Sequence, residues 1–178
     1  MKRLMMCLLL TTALCSAGTI TFEEVPLPDG APVTNQYEAF GILCQNAYYY
    51  IDSRDTFDGV GISILGTSPG IVTFTSPTDG LSIDYWVIQG TIGTYSAFNS
   101  ADTLLDSFTV DATGSTDLLG TYNFADADIA MLEFSGNPGY IQVSTLRFES
   151  VPEPYTWTLI LAGLAAVALR RYRRNSLA

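Results

Sequence analysis

Residues 18–150 predict an all-β fold, an antiparallel β-sandwich of the jelly-roll-like kind. Three observations predict it. Hydrophobic alternation with period two recurs between Thr19 and Phe148. Turn signals punctuate it about every ten residues: Pro28-Asp29-Gly30, Asp58-Gly59, Ser68-Pro69-Gly70, Asp79-Gly80, Gly114-Ser115 and Asn137-Pro138-Gly139. The stretch is rich in Tyr, Phe, Ile, Val, Thr, Ser and Gly, which fit strands and turns better than helices. Many short strands without intervening helices bury their apolar faces against one another in two antiparallel layers. The 133 residues suffice for one core and are too few for two ordinary domains.

The elements follow in chain order. Met1-Lys2-Arg3 precedes an apolar run of eleven residues, Leu4 to Leu14, and then Cys15-Ser16-Ala17-Gly18. A charged start, a short apolar helix and a small-residue end make residues 1–17 a signal peptide, cut between Ala17 and Gly18. The Sec machinery and signal peptidase are the partners this implies. Lipidation at Cys15 is the alternative, and the bulk of Leu14 before it argues against a lipobox.

Strands are expected near 19–25, 38–44, 47–51, 60–65, 71–76, 81–89, 91–97, 104–111, 117–124, 129–135 and 140–149. Leu81, Ile83, Tyr85 and Val87 share one face, opposite Ser82, Asp84 and Trp86. Phe108 and Val110 oppose Ser107 and Thr109, and Leu132 and Phe134 oppose Met131 and Glu133. Pro26 to Gln36 has no pattern and reads as a long surface loop.

Val151-Pro152-Glu153-Pro154 ends the β domain, because two prolines cannot continue a strand. The fifteen uncharged residues Tyr155 to Leu169 follow. As a helix they extend about 22 Å, short of a bilayer core about 30 Å thick. Snorkelling by the arginines beyond can lengthen that reach. Arg170, Arg171, Arg173 and Arg174 hold this end in the cytoplasm, while the signal peptide sends the domain outward.

This run of Pro152, Glu153, Pro154, an apolar helix and an arginine cluster resembles the PEP-CTERM sorting signal, also catalogued as the C-terminal domain of ice-binding-type proteins. The resemblance covers residues 152–178 and sets segment 151–178 apart as a sorting and anchoring tail. It implies export across the inner membrane of a Gram-negative bacterium that makes exopolysaccharide. It also implies transient anchoring, processing by an exosortase-like membrane protease near Pro-Glu-Pro, and release to the cell surface or beyond. A plain single-pass anchor is the alternative, though it needs no Pro-Glu-Pro. The word "ice-binding" describes the tail's usual company and says nothing of this domain's ligand.

The β domain is also similar to the sandwiches common in PEP-CTERM proteins, which look like carbohydrate-binding modules. Ile20-Thr21-Phe22-Glu23-Glu24, Leu105-Asp106-Ser107-Phe108-Thr109-Val110 and Ile141 to Phe148 carry the likeness. Many relatives place Asp before the last Leu-x-Phe, where this chain has Ser144. That departure weakens the transfer of a calcium site at the strand ends.

The charge pattern excludes more than it selects. Residues 18–150 hold 17 acidic side chains against Arg54 and Arg147 alone, a formal charge of −15. Nucleic acid and anionic lipid surfaces would be repelled. The acidity also serves plain solubility. The chain has no histidine, and its only lysine is Lys2. Histidine-based triads, His-ligated zinc, Schiff bases and Walker-type phosphate lysines are therefore absent. A carboxylate-only hydrolase survives this elimination, yet no pair of acids stands out. Cys44, the one cysteine outside the signal peptide, sits in an apolar run and reads as a small buried hydrophobe.

Three sets of residues carry the remaining chemistry. Asp52, Asp55 and Asp58, at three-residue spacing before Gly59, could gather around a hard cation such as calcium. Glu23, with Glu24, is a second metal candidate by analogy with jelly-roll modules. Trp86 beside Asp84, and Tyr48 and Tyr50 of the tyrosine run, are candidate glycan contacts. Against these stand the plainer readings: acids in water at turns and strand ends, and aromatics in the core. The sequence thus predicts a non-enzymatic, exported protein of the exopolysaccharide or biofilm matrix, able to bind glycan weakly. The alternatives are a structural or adhesive surface protein without a sugar site, and the carboxylate hydrolase.

Overall fold

A computed structural model describes residues 17–150, apart from 55–56, 115 and 138–139, together with Gly163. The chain divides into Ser16–Val151 and a second unit, Met1–Cys15 with Pro152–Ala178. The signal helix predicted from sequence, and the predicted hydrophobic C-terminal helix apart from Gly163, lie outside the described residues. Among the described residues, no helix is long and apolar enough to cross a membrane.

Residues 17–150 are all-β and antiparallel throughout. The strands are β1 (Ala17–Ile20), β2 (Pro32–Val33), β3 (Ile42–Gln45), β4 (Ala47–Arg54), β5 (Phe57–Ser63) and β6 (Gly70–Val87). They continue with β7 (Ile92–Phe98), β8 (Leu104–Asp111), β9 (Leu118–Phe124), β10 (Ile129–Asn137) and β11 (Ile141–Ser150). Among the described residues of this stretch, a 3-10 turn at Glu38–Phe40 is the one other regular element.

β6 organises the fold because its two halves take different partners. Its first half pairs with β3 and β10, giving the run β3-β6-β10-β7-β8. Its second half pairs with β9 and β11. β11 in turn carries β1 along one stretch and β5 along another, and β5 leads on to β4 and β2. Side chains of the two runs meet across the core. Phe74 packs edge-on against Phe148 at 5.0 Å, and Phe108 stacks on Tyr122 at 3.8 Å. Ile42, Val72, Leu132 and Phe134 from the first run and Ile20, Ile62, Ile83 and Leu146 from the second are wholly buried.

The expected alternation holds where it was drawn. Leu81, Ile83 and Val87 are buried with Tyr85 packed beside them, and Leu132 and Phe134 are buried between half-exposed neighbours. Cys44 is buried, and burial pushes its thiol up to about 12, so it stays protonated and unreactive.

Four expectations are corrected. The strands expected at 71–76 and 81–89 are one strand of 18 residues. Asp79-Gly80 marks a register shift where β6 changes partners, with Gly80 at φ 74°. The first strand ends at Ile20, because Phe22 turns to φ 61°. Residues 38–40 coil before the left-handed Gly41 opens β3. The expected loop from Pro26 to Gln36 contributes β2, which pairs with Tyr48 and Ala47.

Candidate functional site

The register of the second run assembles one outer face from five strands. Tyr48 lies opposite Ser63, Ser63 opposite Gln142, Gln142 opposite Trp86, and Trp86 opposite Leu119. Residues directly paired, and those two apart along a strand, share a face. Tyr50 and Gly61 therefore sit beside this row, as do Asp84 and its neighbours Thr121 and Thr145. All four sequence-predicted glycan contacts, Tyr48, Tyr50, Asp84 and Trp86, thus lie on one face.

Their environments differ. Trp86 is only 2% exposed and stacks on Tyr50 at 6.4 Å and 25°. Its indole presents no open platform, whereas Tyr48 and Tyr50 are half-exposed. Asp84 anchors the polar part of the face. Its Oδ1 accepts from Arg147 Nη1 at 2.9 Å and from Thr121 Oγ1 at 2.6 Å, and its Oδ2 accepts from Arg147 Nη2 at 2.6 Å. A fork-to-fork pair of this kind fixes both partners in orientation. The Arg147 hydrogen bonds hold the Asp84 carboxyl below the usual carboxylate range, against the opposing effect of burial. The Arg147 guanidinium, 46% exposed, is pushed up by the same contact.

A β-bulge puts Arg147 there. The pairing of β11 with β6 shifts between Val143 and Thr145, so one extra residue enters the strand. Val143, Leu146 and Phe148 consequently all point inward and are buried, and Arg147 points out beside Asp84. The residue admitted is Ser144, whose hydroxyl donates to the Asp84 carbonyl at 3.3 Å. The result is an open groove of about 550 Å³ lined by Asp84, Leu119, Thr121, Ser144 and Arg147. A second hollow of about 340 Å³ continues past Arg147 over Ser82, Asn123 and Thr19. Arg147, Ser144 and Gln142 are the site residues the sequence reading missed. The departure at Ser144 was the one available signal.

The metal candidates gain no such assembly. Glu23 is exposed, and Glu24 accepts hydrogen bonds from the amide and hydroxyl of Thr21. Asp52 pairs with Gly59, and Asp58 with Ser53, in the β4–β5 ladder. Asp55 and the side chains of residues 52–58 lie outside the described residues. Among the described residues no three acidic or cysteine side chains gather as a cation site. The signal cleavage position expected from the sequence, Ala17–Gly18, falls at the start of β1. Pro152, Glu153, Pro154 and the four arginines lie outside the described residues.

Residues 150–174 match the PEP-CTERM protein-sorting motif. Such a tail implies export, transient membrane anchoring and exosortase-mediated processing. No curated protein matches the chain. Among solved structures, the K2 cleaved adhesin domain of Lys-gingipain superposes at a TM-score of 0.45 with 13% identity, over 76% of this chain and 99% of that one. The K1 adhesin domain of the same protein, from Porphyromonas gingivalis W83, gives 0.43 and 12%, over 77% and 99%. CsCBM6-3 from Clostridium stercorarium, in complex with cellobiose, gives 0.39 and 14%, over 75% and 94%. These TM-scores are low, and the likenesses assign no ligand to this chain.

Proposed function

We propose that this is a non-enzymatic, surface or matrix protein, built as a jelly-roll-like sandwich, that holds exopolysaccharide on the outer face of the β9-β6-β11-β5-β4 run. One observation carries the reading. The Asp84–Arg147 pair lies in the floor of an open groove, on the same face as the half-exposed Tyr48 and Tyr50. A locked carboxylate–guanidinium pair offers acceptors and donors side by side, the pattern that adjacent sugar hydroxyls match. Nearby tyrosines supply flat apolar surface for the C–H face of a sugar ring. The groove is open and mixes polar with apolar lining, which suits weak, repeated contacts along a polymer better than tight capture of a small molecule. A carboxylate hydrolase is disfavoured at this place, since both Asp84 oxygens are engaged and its carboxyl is held ionised.

The test is binding of the full chain, in detergent, to exopolysaccharide purified from the producing bacterium. It is run with calcium and with chelator. Binding that falls about ten-fold in Arg147→Ala is the expected result. Unchanged retention of the polymer by Arg147→Ala and Tyr48→Ala would move the site elsewhere. No retention of wild type under either condition would leave the adhesive, protein-binding reading, for which Leu118 on edge strand β9 is one of several exposed apolar side chains.

A further inference from the structure

The same face holds a feature the groove does not use. Gln142 is wholly buried, yet its Nε2 and Oε1 have no hydrogen-bond partner among the described residues. Leaving a buried amide unpaired at both ends is costly, and native folds seldom tolerate it without a purpose. Three details define its surroundings. It pairs with Trp86 on one side and Ser63 on the other. A Cβ on Gly61 would collide with Gln142 Nε2, so the amide lies across the space which that glycine leaves open. Tyr50 and Trp86 stand on β4 and β6, with β5 and β11 between them. Their backbones are separated by three strand spacings, about 14 Å, yet their rings stack at 6.4 Å. The rings therefore lean toward each other over the two intervening strands, where Gln142 lies.

We propose that Tyr50, Trp86 and Gln142 form a closed subsite for one neutral pyranose unit, opened when Tyr50 swings off Trp86. The indole face then carries the C–H face of the sugar. The Gln142 amide serves its hydroxyls, donating from Nε2 and accepting at Oε1, as a sugar hydroxyl requires. An uncharged amide on the strands these two aromatic rings cover, in a domain of formal charge −15, selects a neutral sugar over a uronate. The proposal rests on the glycan reading above and adds its sugar class and a gate.

The chain has two tryptophans, so Trp157→Phe in the full-length protein leaves Trp86 as the sole reporter. Titration with cellotetraose and with mannotetraose is expected to shift and saturate its emission for at least one of them. Tetragalacturonate should leave it unchanged. Gln142→Met is expected to raise Tm, by removing the unpaired amide, and to weaken saccharide binding about ten-fold or more. Tyr50→Ala should open Trp86 to acrylamide quenching in the absence of sugar, a readout that stands even if Gln142→Met does not fold. Calorimetric binding with no change in Trp86 emission, or undiminished by Gln142→Met, overturns the subsite and leaves the glycan reading intact. That result would make Gln142 a structural amide. No heat of binding with any neutral saccharide or with the purified exopolysaccharide overturns both.

Discussion

At the scale of single residues, the Asp84–Arg147 pair makes a pH prediction whose sign is fixed. The folded Asp84 pKa lies below its ordinary value, chiefly through the Arg147 hydrogen bonds. An unfolded Asp titrates near about 3.9. The stabilisation is therefore present above about pH 4 and is lost as pH falls through the folded pKa. Arg147→Gln removes the partner, so the Asp84 carboxyl should titrate closer to about 3.9 by carbon-13 NMR. The variant should lose about 0.2–1 kcal/mol at neutral pH, the range for a solvent-exposed pair, and less of its remaining stability in acid. An unchanged Asp84 titration would mean that the side chains of Thr121 and Thr145, rather than Arg147, set the carboxyl. Half of this pair was legible in the sequence. Asp84 stood out because alternation puts it beside Trp86, opposite an apolar stripe. Arg147 did not, because alternation counted from Val143 sends it inward. Only the extra residue at Ser144 reverses that, and a bulge leaves no mark in hydrophobic periodicity.

At the scale of elements, the strand pattern was read well where one face is apolar and the other polar, as in β7, β8 and β10. It failed where local signals compete with pairing. Asp79-Gly80 is a sound turn signal in isolation, but β6 runs through it with ladders on either side. Pro32-Val33 is too short to show a period, and its strand exists only through Tyr48 and Ala47. Tertiary pairing decides both. Close packing at the start of β6 gives the element-level prediction. Gly70 faces Phe134 across the β6–β10 ladder. A Cβ there would collide with the Phe134 ring and lie 2.8 Å from Ile64 Cγ2. Both neighbours are wholly buried, so neither can retreat into solvent. Gly70→Ala should therefore destabilise the fold by about 1–3 kcal/mol, read as a Tm lowered by several degrees. Gly114→Ala, with nothing within 4 Å, is the control and should change little. Equal Tm values for the two variants would show that β6 and β10 can part to admit a methyl group.

At the scale of the whole molecule, the two ends of the β domain meet. β1 pairs with β11 alone, Ala17 opposite Glu149 and Ile20 opposite Leu146. The predicted signal cleavage position and the start of the sorting motif at residue 150 are therefore neighbours in the fold. This register also orders events. Among the described strands β11 is the last made, so β1 has no partner until the whole domain has been exported. During that interval the Ala17–Gly18 bond remains in unpaired chain, the form a signal peptidase can cut. Cleavage at the predicted position would take one residue from β1 and leave Gly18, Thr19 and Ile20 to pair. The tail differs, because it follows β11 directly and its cut comes after the domain can fold. The intact mass of the protein from its native host should accordingly lack both the signal peptide and the arginine cluster. Changing Pro152, Glu153 and Pro154 together to alanine should keep the arginine cluster on the chain and the protein in the membrane fraction, with signal cleavage unaffected. A wild-type mature form still ending at Ala178 would reduce the tail to a simple anchor, because a sorted chain must leave its arginines behind in order to leave the membrane.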